Sequence, residues 1–258
     1  MITRVEIQEF KSIRSMTIDL GRINLFLGAN GSGKSNILEA LGIVSASVYG
    51  IVDDESLQRR GVRPGVPRLY KTSNKAFPRS QQISFSVGND ACEYRISLLN
   101  PLEKPKPQWD YKTETLVSVD EKKPLYTKGV RSHGNNMVGG MPSTLSELAP
   151  EHSAYHFLEE LRNYAIYSPN TPMLRGIVSD PQTRVPVGLS GGGLADGLME
   201  LLQNARDNED LEMAIDETVG LFDWVKEVKS EANISTILSK SVARPKRVIT
   251  FNDLYMKE

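Results

Sequence analysis

Gly28-Ala29-Asn30-Gly31-Ser32-Gly33-Lys34-Ser35 is a complete G-x-x-x-x-G-K-[ST] phosphate-binding loop. Glycines and small residues let the backbone wrap closely around a polyphosphate, with successive N–H groups turned toward the anion. Lys34 brings a compact positive charge to the β and γ phosphates, and the Ser35 hydroxyl is placed to ligate Mg²⁺. Such a motif should follow a strand and open a helix. Ile23, Leu25, Phe26 and Leu27 form a nearly continuous apolar run, which predicts a short strand buried on both faces. Ile37, Leu38, Leu41, Val44 and Val48 recur at helical spacing, and that helix would aim its positive end at the same phosphates. The stretch therefore predicts a nucleoside-triphosphate site inside an α/β fold.

The rest of the composition narrows the class. With 258 residues, the chain is long enough for one large α/β domain or a domain with an inserted subdomain. Apolar residues make up 39% and charged residues 24%, as in ordinary soluble domains, and a net charge of −1 offers no global basic field for nucleic acid. Cys92 is the one cysteine, which excludes an internal disulfide and fits a reducing compartment. No apolar run approaches the length of a membrane span, and Met1 leads into alternating polar and apolar residues rather than a signal core. The expectation is a soluble cytoplasmic protein with no membrane partner.

Two further strands are expected before the loop. Val5 and Ile7 alternate with Arg4, Glu6 and Gln8, and Met16, Ile18 and Leu20 alternate after Lys11-Ser12-Ile13-Arg14-Ser15. The whole segment, Val5-Glu6-Ile7-Gln8-Glu9-Phe10-Lys11-Ser12-Ile13 followed by Ile23 to Leu41 with Asn30 and Asn36 inside a G-x-N-G-S/A-G-K-S/T-N pattern, resembles the amino-terminal part of the SMC/RecF/OLD-like ATPases. That group belongs to the ABC-type branch of AAA family ATPases. The resemblance is specific over residues 2–42 and loose over most of the remainder.

The resemblance implies a P-loop NTPase of ABC-ATPase type: an α/β fold with a mixed sheet around the P-loop helix, an antiparallel β layer and a helical subdomain. It implies ATP with Mg²⁺ as the cofactor, held by Gly28, Asn30, Gly31, Ser32, Gly33, Lys34, Ser35 and Asn36. It adds Lys11 and Ser12 as contacts near the nucleotide or bound DNA. For Lys11 a solvated turn lysine is the competing reading. The resemblance further implies a homodimer or an ATPase partner subunit around the nucleotide, with DNA and a nuclease effector as possible partners in DNA repair or defence against phage. Long SMC-type arms are excluded, since no heptad repeat of coiled-coil length is present.

Downstream of the loop, residues 51–80 are polar and rich in Pro and Gly, and read as an irregular surface excursion. Arg59, Arg60, Arg63, Arg68, Lys71, Lys75 and Arg79 occur there with no acidic residue among them. Such a run is either a phosphate-backbone contact or a solvated loop, and the scarcity of interleaved aromatics favours the latter. Ile83, Phe85 and Val87, then Tyr94, Ile96 and Leu98, predict a hairpin about Gly88-Asn89-Asp90, and Tyr111 to Val119 continues the alternation. This gives a first lobe over 1–127, a mobile loop over 128–143, and a helical subdomain with the start of the second half of the lobe over 144–258. A helix is expected from Ser143 onward through Tyr155, Leu158, Leu161 and Ala165, then a short strand over Tyr164–Pro169. His152, His156 and Glu160 share one helix face, which reads as exposed rather than metal-binding without a further clustered ligand.

Two motifs in the last third invite a catalytic reading. Leu189-Ser190-Gly191-Gly192-Gly193 looks like an ABC signature, and Met213-Ala214-Ile215-Asp216-Glu217 looks like a Walker B strand. Asp216 and Glu217 are accordingly weak catalytic candidates, and Gln182 is a weak Q-loop candidate for Mg²⁺. Glu212 interrupts the apolar run, however, and Leu211, Ala214, Ile215, Thr218, Phe222 and Val225 keep a helical period, which puts Asp216 and Glu217 on the polar face of a helix. The resemblance likewise implies helices over Leu198–Ala205 and Leu211–Val228. On this reading the signature, Walker B and switch histidine lie outside the sequence, which would be an amino-terminal part. A fragment, a split gene and a degenerate copy all fit.

Overall fold

The computed structural model describes residues 1–72, 80–119, 124–129, 153–182, 184–232 and 247–253. Its elements in chain order are β1 (Arg4–Phe10), β2 (Ile13–Asp19), α1 (Lys34–Tyr49), α2 (Asp54–Gln58), α3 (Pro67–Tyr70), β3 (Gln82–Gly88), β4 (Cys92–Leu99), β5 (Asp110–Ser118) and β6 (Pro124–Gly129). They continue with α4 (Ser153–Arg162), α5 (Thr171–Leu174), α6 (Leu194–Ala205), α7 (Glu209–Val219), β7 (Val225–Glu231) and β8 (Val248–Asp253). The chain divides into two compact units, Met1–Ile166 and Tyr167–Glu258.

The first unit is built on a six-stranded antiparallel sheet of order β2-β1-β3-β4-β5-β6. Alternation puts one residue in two on the inner face. Register then lines these residues up in rows, with Val5 opposite Val87, Ile7 opposite Phe85, Phe85 opposite Ile96 and Val87 opposite Tyr94. Polar neighbours such as Glu6, Ser84, Ser86 and Arg95 take the outer face. The predicted hairpin is thus the β3–β4 pair, and Tyr111 to Ser118 falls in β5 as expected.

Helix α1 packs against this face, and α4 packs against α1 through a core that includes Ala154, Phe157, Leu158 and Leu161. From Ile37 to Val48 nearly every side chain of α1 is buried, as expected of a helix that is apolar on most of its faces. Gly42 permits a close approach: a Cβ there would lie 2.4 Å from Val62 Cγ2. Buried polar atoms on this helix find partners. Ser45 Oγ donates to the Arg162 carbonyl at 3.0 Å and accepts from Arg60 Nε at 2.7 Å, while Tyr111 donates to the Ser47 carbonyl at 2.9 Å.

Residues 51–72 are more ordered than an irregular excursion. Asp53 and Ser56 form a reciprocal capping box that starts α2. Two residues expected in a solvated loop are buried, Arg60 at 7% and Lys71 at 1% exposure. Arg60 is drawn inward by Ser45 and the Ser56 carbonyl, and Lys71 by the carbonyls of Gln81 and Asn100. Tyr164–Pro169 is not a strand, and Ile166 N–H bonds instead to the Arg60 carbonyl at 2.9 Å.

The second unit carries α5, α6, α7 and the antiparallel pair β7–β8. The helix expected to reach Val228 ends at Val219. Val225–Glu231 is a strand instead, whose bulge between Val225 and Glu227 disturbs the alternation that would have marked it. Ser230 Oγ donates to the Ala195 carbonyl at 2.6 Å and ties β7 to the start of α6. His152 and all of 130–143 lie outside the described residues, as do Lys75 and Arg79. No described helix is long and apolar enough to cross a membrane.

Candidate functional site

The phosphate-binding loop leads directly into α1, whose first residue is Lys34. Gly31 and Gly33 have φ of 84° and 98°, values open to glycine and costly for side-chain-bearing residues. Gly33 caps the helix without any side-chain acceptor, so the Lys34 and Ser35 N–H groups take no side-chain cap, while Asn36 N–H bonds to the Gly33 carbonyl at 2.9 Å. Lys34 Nζ donates to the carbonyls of Gly28 at 2.7 Å and Ala29 at 2.8 Å, folding its charge back over the loop. Ser35 is exposed at the same turn. A concentration of donors, one ammonium and one hydroxyl at a helix N-terminus is suited to a polyphosphate.

The β1–β2 turn braces this loop. Asn36 Nδ2 donates to Ser12 Oγ at 2.8 Å, and a Cβ on Gly33 would come within 2.9 Å of the same oxygen. Ser12 is therefore the turn residue that touches the loop. Lys11, the other proposed contact, points to Glu39 on α1, as does Arg63. Glu39 is 3% exposed and engages both cations. Burial holds the Lys11 ammonium below the usual lysine range, even though the bond to Glu39 works in the opposite direction. Lys11 also sits at φ 50°, and its N–H is bonded to the Tyr70 carbonyl at 2.9 Å. Glu39 is a site residue that the sequence reading did not single out. The available signal was a lone charge inside the apolar run Ile37 to Leu41.

The segment before the loop departs from expectation. Residues 23–28 belong to no ladder among the described residues, and the two sheets present are wholly antiparallel rather than mixed. Ile23, Leu25 and Leu27 are 92%, 80% and 82% exposed, so the run is not buried on both faces. Only Phe26, on the other side of the extended chain, packs against the core. Beside it a cavity of about 700 Å³ opens next to Lys34 and Ser35, walled by Phe26, Leu38, Leu41 and Tyr164.

Among the other candidates, Asp216 and Glu217 lie within α7, a helix of the second unit, rather than at the end of a strand. Gln182 lies in a loop of that unit, where its N–H bonds to Asp180 Oδ1 at 2.8 Å and its carbonyl accepts from Leu189 N–H at 3.0 Å. The glycine-rich turn at 190–193 is already filled by a carboxylate: Asp180 Oδ2 accepts from Ser190 N–H at 2.9 Å and Gly192 N–H at 3.1 Å. A Cβ on Gly192 would meet Asp180 Cβ at 2.3 Å, which explains the glycine structurally. No cluster of metal-ligating His, Cys, Asp or Glu side chains occurs among the described residues.

Residues 1–85 match the family model described as AAA ATPase domain, which supports an AAA-type ATPase family for this part of the chain. No curated protein matches the sequence.

Proposed function

We propose that the chain is the ATP-binding domain of an SMC/RecF/OLD-like ATPase, with MgATP held by Gly28–Ser35 and hydrolysed across a dimer interface. In this reading hydrolysis is coupled to DNA maintenance or to defence against phage. The observation that carries the nucleotide part is the loop itself, an uncapped helix N-terminus preceded by Gly31 and Gly33 at positive φ and braced by Ser12. The dimer, DNA and nuclease partners rest on the resemblance of residues 2–42. ATP binding by calorimetry and turnover by phosphate release test the reading together. Lys34→Ala should weaken ATP binding strongly, and an ATP affinity unchanged by it would overturn the site assignment.

A second reading is a nucleotide-dependent interaction module that binds ATP without hydrolysing it. It is favoured by the position of Asp216 and Glu217 on α7, which leaves no assigned carboxylate to polarise water. Binding without turnover, alone and with DNA, supports the module. Turnover that Glu217→Ala abolishes would instead make the chain a self-sufficient enzyme.

A further inference from the structure

On the other side of the Lys11-Ser12 turn from the P-loop lies a second concentration of positive charge. Lys11, Arg63, Arg68 and Lys71 line one cavity of about 470 Å³, floored by Tyr70 and edged by Pro64, Gly65 and Leu69. Lys11, Arg63 and Lys71 are held in place by the fold. Residues 70–72 run along the hairpin end, with Lys11 N–H on the Tyr70 carbonyl and Thr72 N–H on the Glu9 carbonyl at 3.1 Å. The Lys11 ammonium lies 5.2 Å from the Tyr70 ring centroid, and the Tyr70 hydroxyl donates to the Arg63 carbonyl at 2.8 Å, fixing the ring as a wall. Glu39 is the carboxylate that answers Lys11 and Arg63 together, while no ion pair to Arg68 or Lys71 occurs among the described residues. Lys71 is buried against the carbonyls of Gln81 and Asn100, with its ammonium 5.8 Å from the Trp109 ring centroid, and Arg68 is exposed at the rim.

We propose that this cavity is a second anion site, separate from the P-loop, that takes a phosphate-bearing ligand. With the buried Lys71 ammonium left out, Lys11, Arg63 and Arg68 still outnumber the Glu39 carboxylate by two charges, which suits a phosphate better than a carboxylate. Two guanidinium groups supply the forked donors that phosphate oxygens accept. Free polyphosphate and the backbone of a nucleic acid share this chemistry.

The test uses the full chain carrying Lys34→Ala, so that the P-loop does not report, with two probes: sodium tripolyphosphate by calorimetry and a fluorescein-labelled oligonucleotide by anisotropy. One or both should bind, and Arg68→Glu should weaken that binding at least about tenfold, as expected for loss of a charge-assisted contact. Arg63→Gln should weaken it as well, and the thermal midpoint should stay put in Arg68→Glu because that side chain is exposed. Tripolyphosphate binding alone assigns the site to small anions. Oligonucleotide binding that falls steeply with salt assigns it to a backbone. No binding of either probe, or binding indifferent to both substitutions, would overturn the proposal. Failure of the P-loop reading would appear separately, as ATP binding unaffected by Lys34→Ala.

Discussion

Asn36 Nδ2 donates to Ser12 Oγ at 2.8 Å across 24 positions of chain, joining the first turn of the nucleotide helix to the end of the first hairpin. Both residues are accessible, so the bond organises the loop more than it stabilises the fold. Ser12→Ala and Asn36→Ala should each weaken ATP binding severalfold with little change in the unfolding midpoint. A double-mutant cycle on ATP affinity should return a coupling of about 0.5–1.5 kcal/mol. Strict additivity would show that the two side chains act separately.

Glu39 should behave differently, because it is a buried carboxylate shared by Lys11 and Arg63. Glu39→Ala leaves the largely buried Lys11 ammonium without its partner and should cost about 3–5 kcal/mol in urea unfolding. Arg63→Ala removes a mostly exposed partner and should cost at most about 1 kcal/mol. Equal costs would contradict the assignment of Lys11 as the buried member.

The contact between Gly42 and Val62 is another point of tension. Gly42→Ala would place its methyl 2.4 Å from Val62 Cγ2, against the helix's own preference for alanine. The clash should win, destabilising the protein by about 1–3 kcal/mol. Val62→Ala in the same chain should recover part of that loss, and no recovery would mean that the strain lies elsewhere.

Asp180 gives the second unit an acid limit. Burial pushes its carboxyl upward, but N–H donation from Gln182, Gly192 and Ser190 outweighs this and holds it below the usual carboxylate range. A depressed folded-state value contributes stability above the unfolded value, and that contribution is lost as pH falls through the folded one. Amide exchange at Ser190 and Gly192 should therefore quicken at acid pH relative to the intrinsic rate. Asp180→Ala should remove the protection already at neutral pH. Unchanged protection in that variant would sink the role given to the carboxylate.

Much of the first unit could be read from alternation. Val5, Ile7, Ile83, Phe85, Val87, Tyr94, Ile96 and Leu98 show a period of two because one sheet face is buried and the other is wet. The P-loop was equally legible, since its glycines and lysine are dictated by local geometry. Arg60 and Lys71 were misread because a basic residue in a Pro/Gly-rich stretch carries no sign of the distant carbonyls and hydroxyl that take its charge inside. Ile23, Leu25 and Leu27 show the opposite failure. Their apolar run was read as buried, and among the described residues nothing covers it. A pattern records how much surface wants covering, and does not name the surface that covers it. Val225 continued a helical spacing by accident, because a bulge broke the two-residue rhythm of the strand it begins.

The Lys11-Ser12 turn spans only two residues between the paired Phe10 and Ile13. Lys11 reaches Glu39 on one flank, and Ser12 reaches Asn36 on the other. An inserted residue would rotate one of these side chains away from its partner, and a deletion would remove one outright. Sequence length at this turn is consequently under tighter control than residue identity. Natural or engineered variants should accept substitutions here far more readily than changes of length.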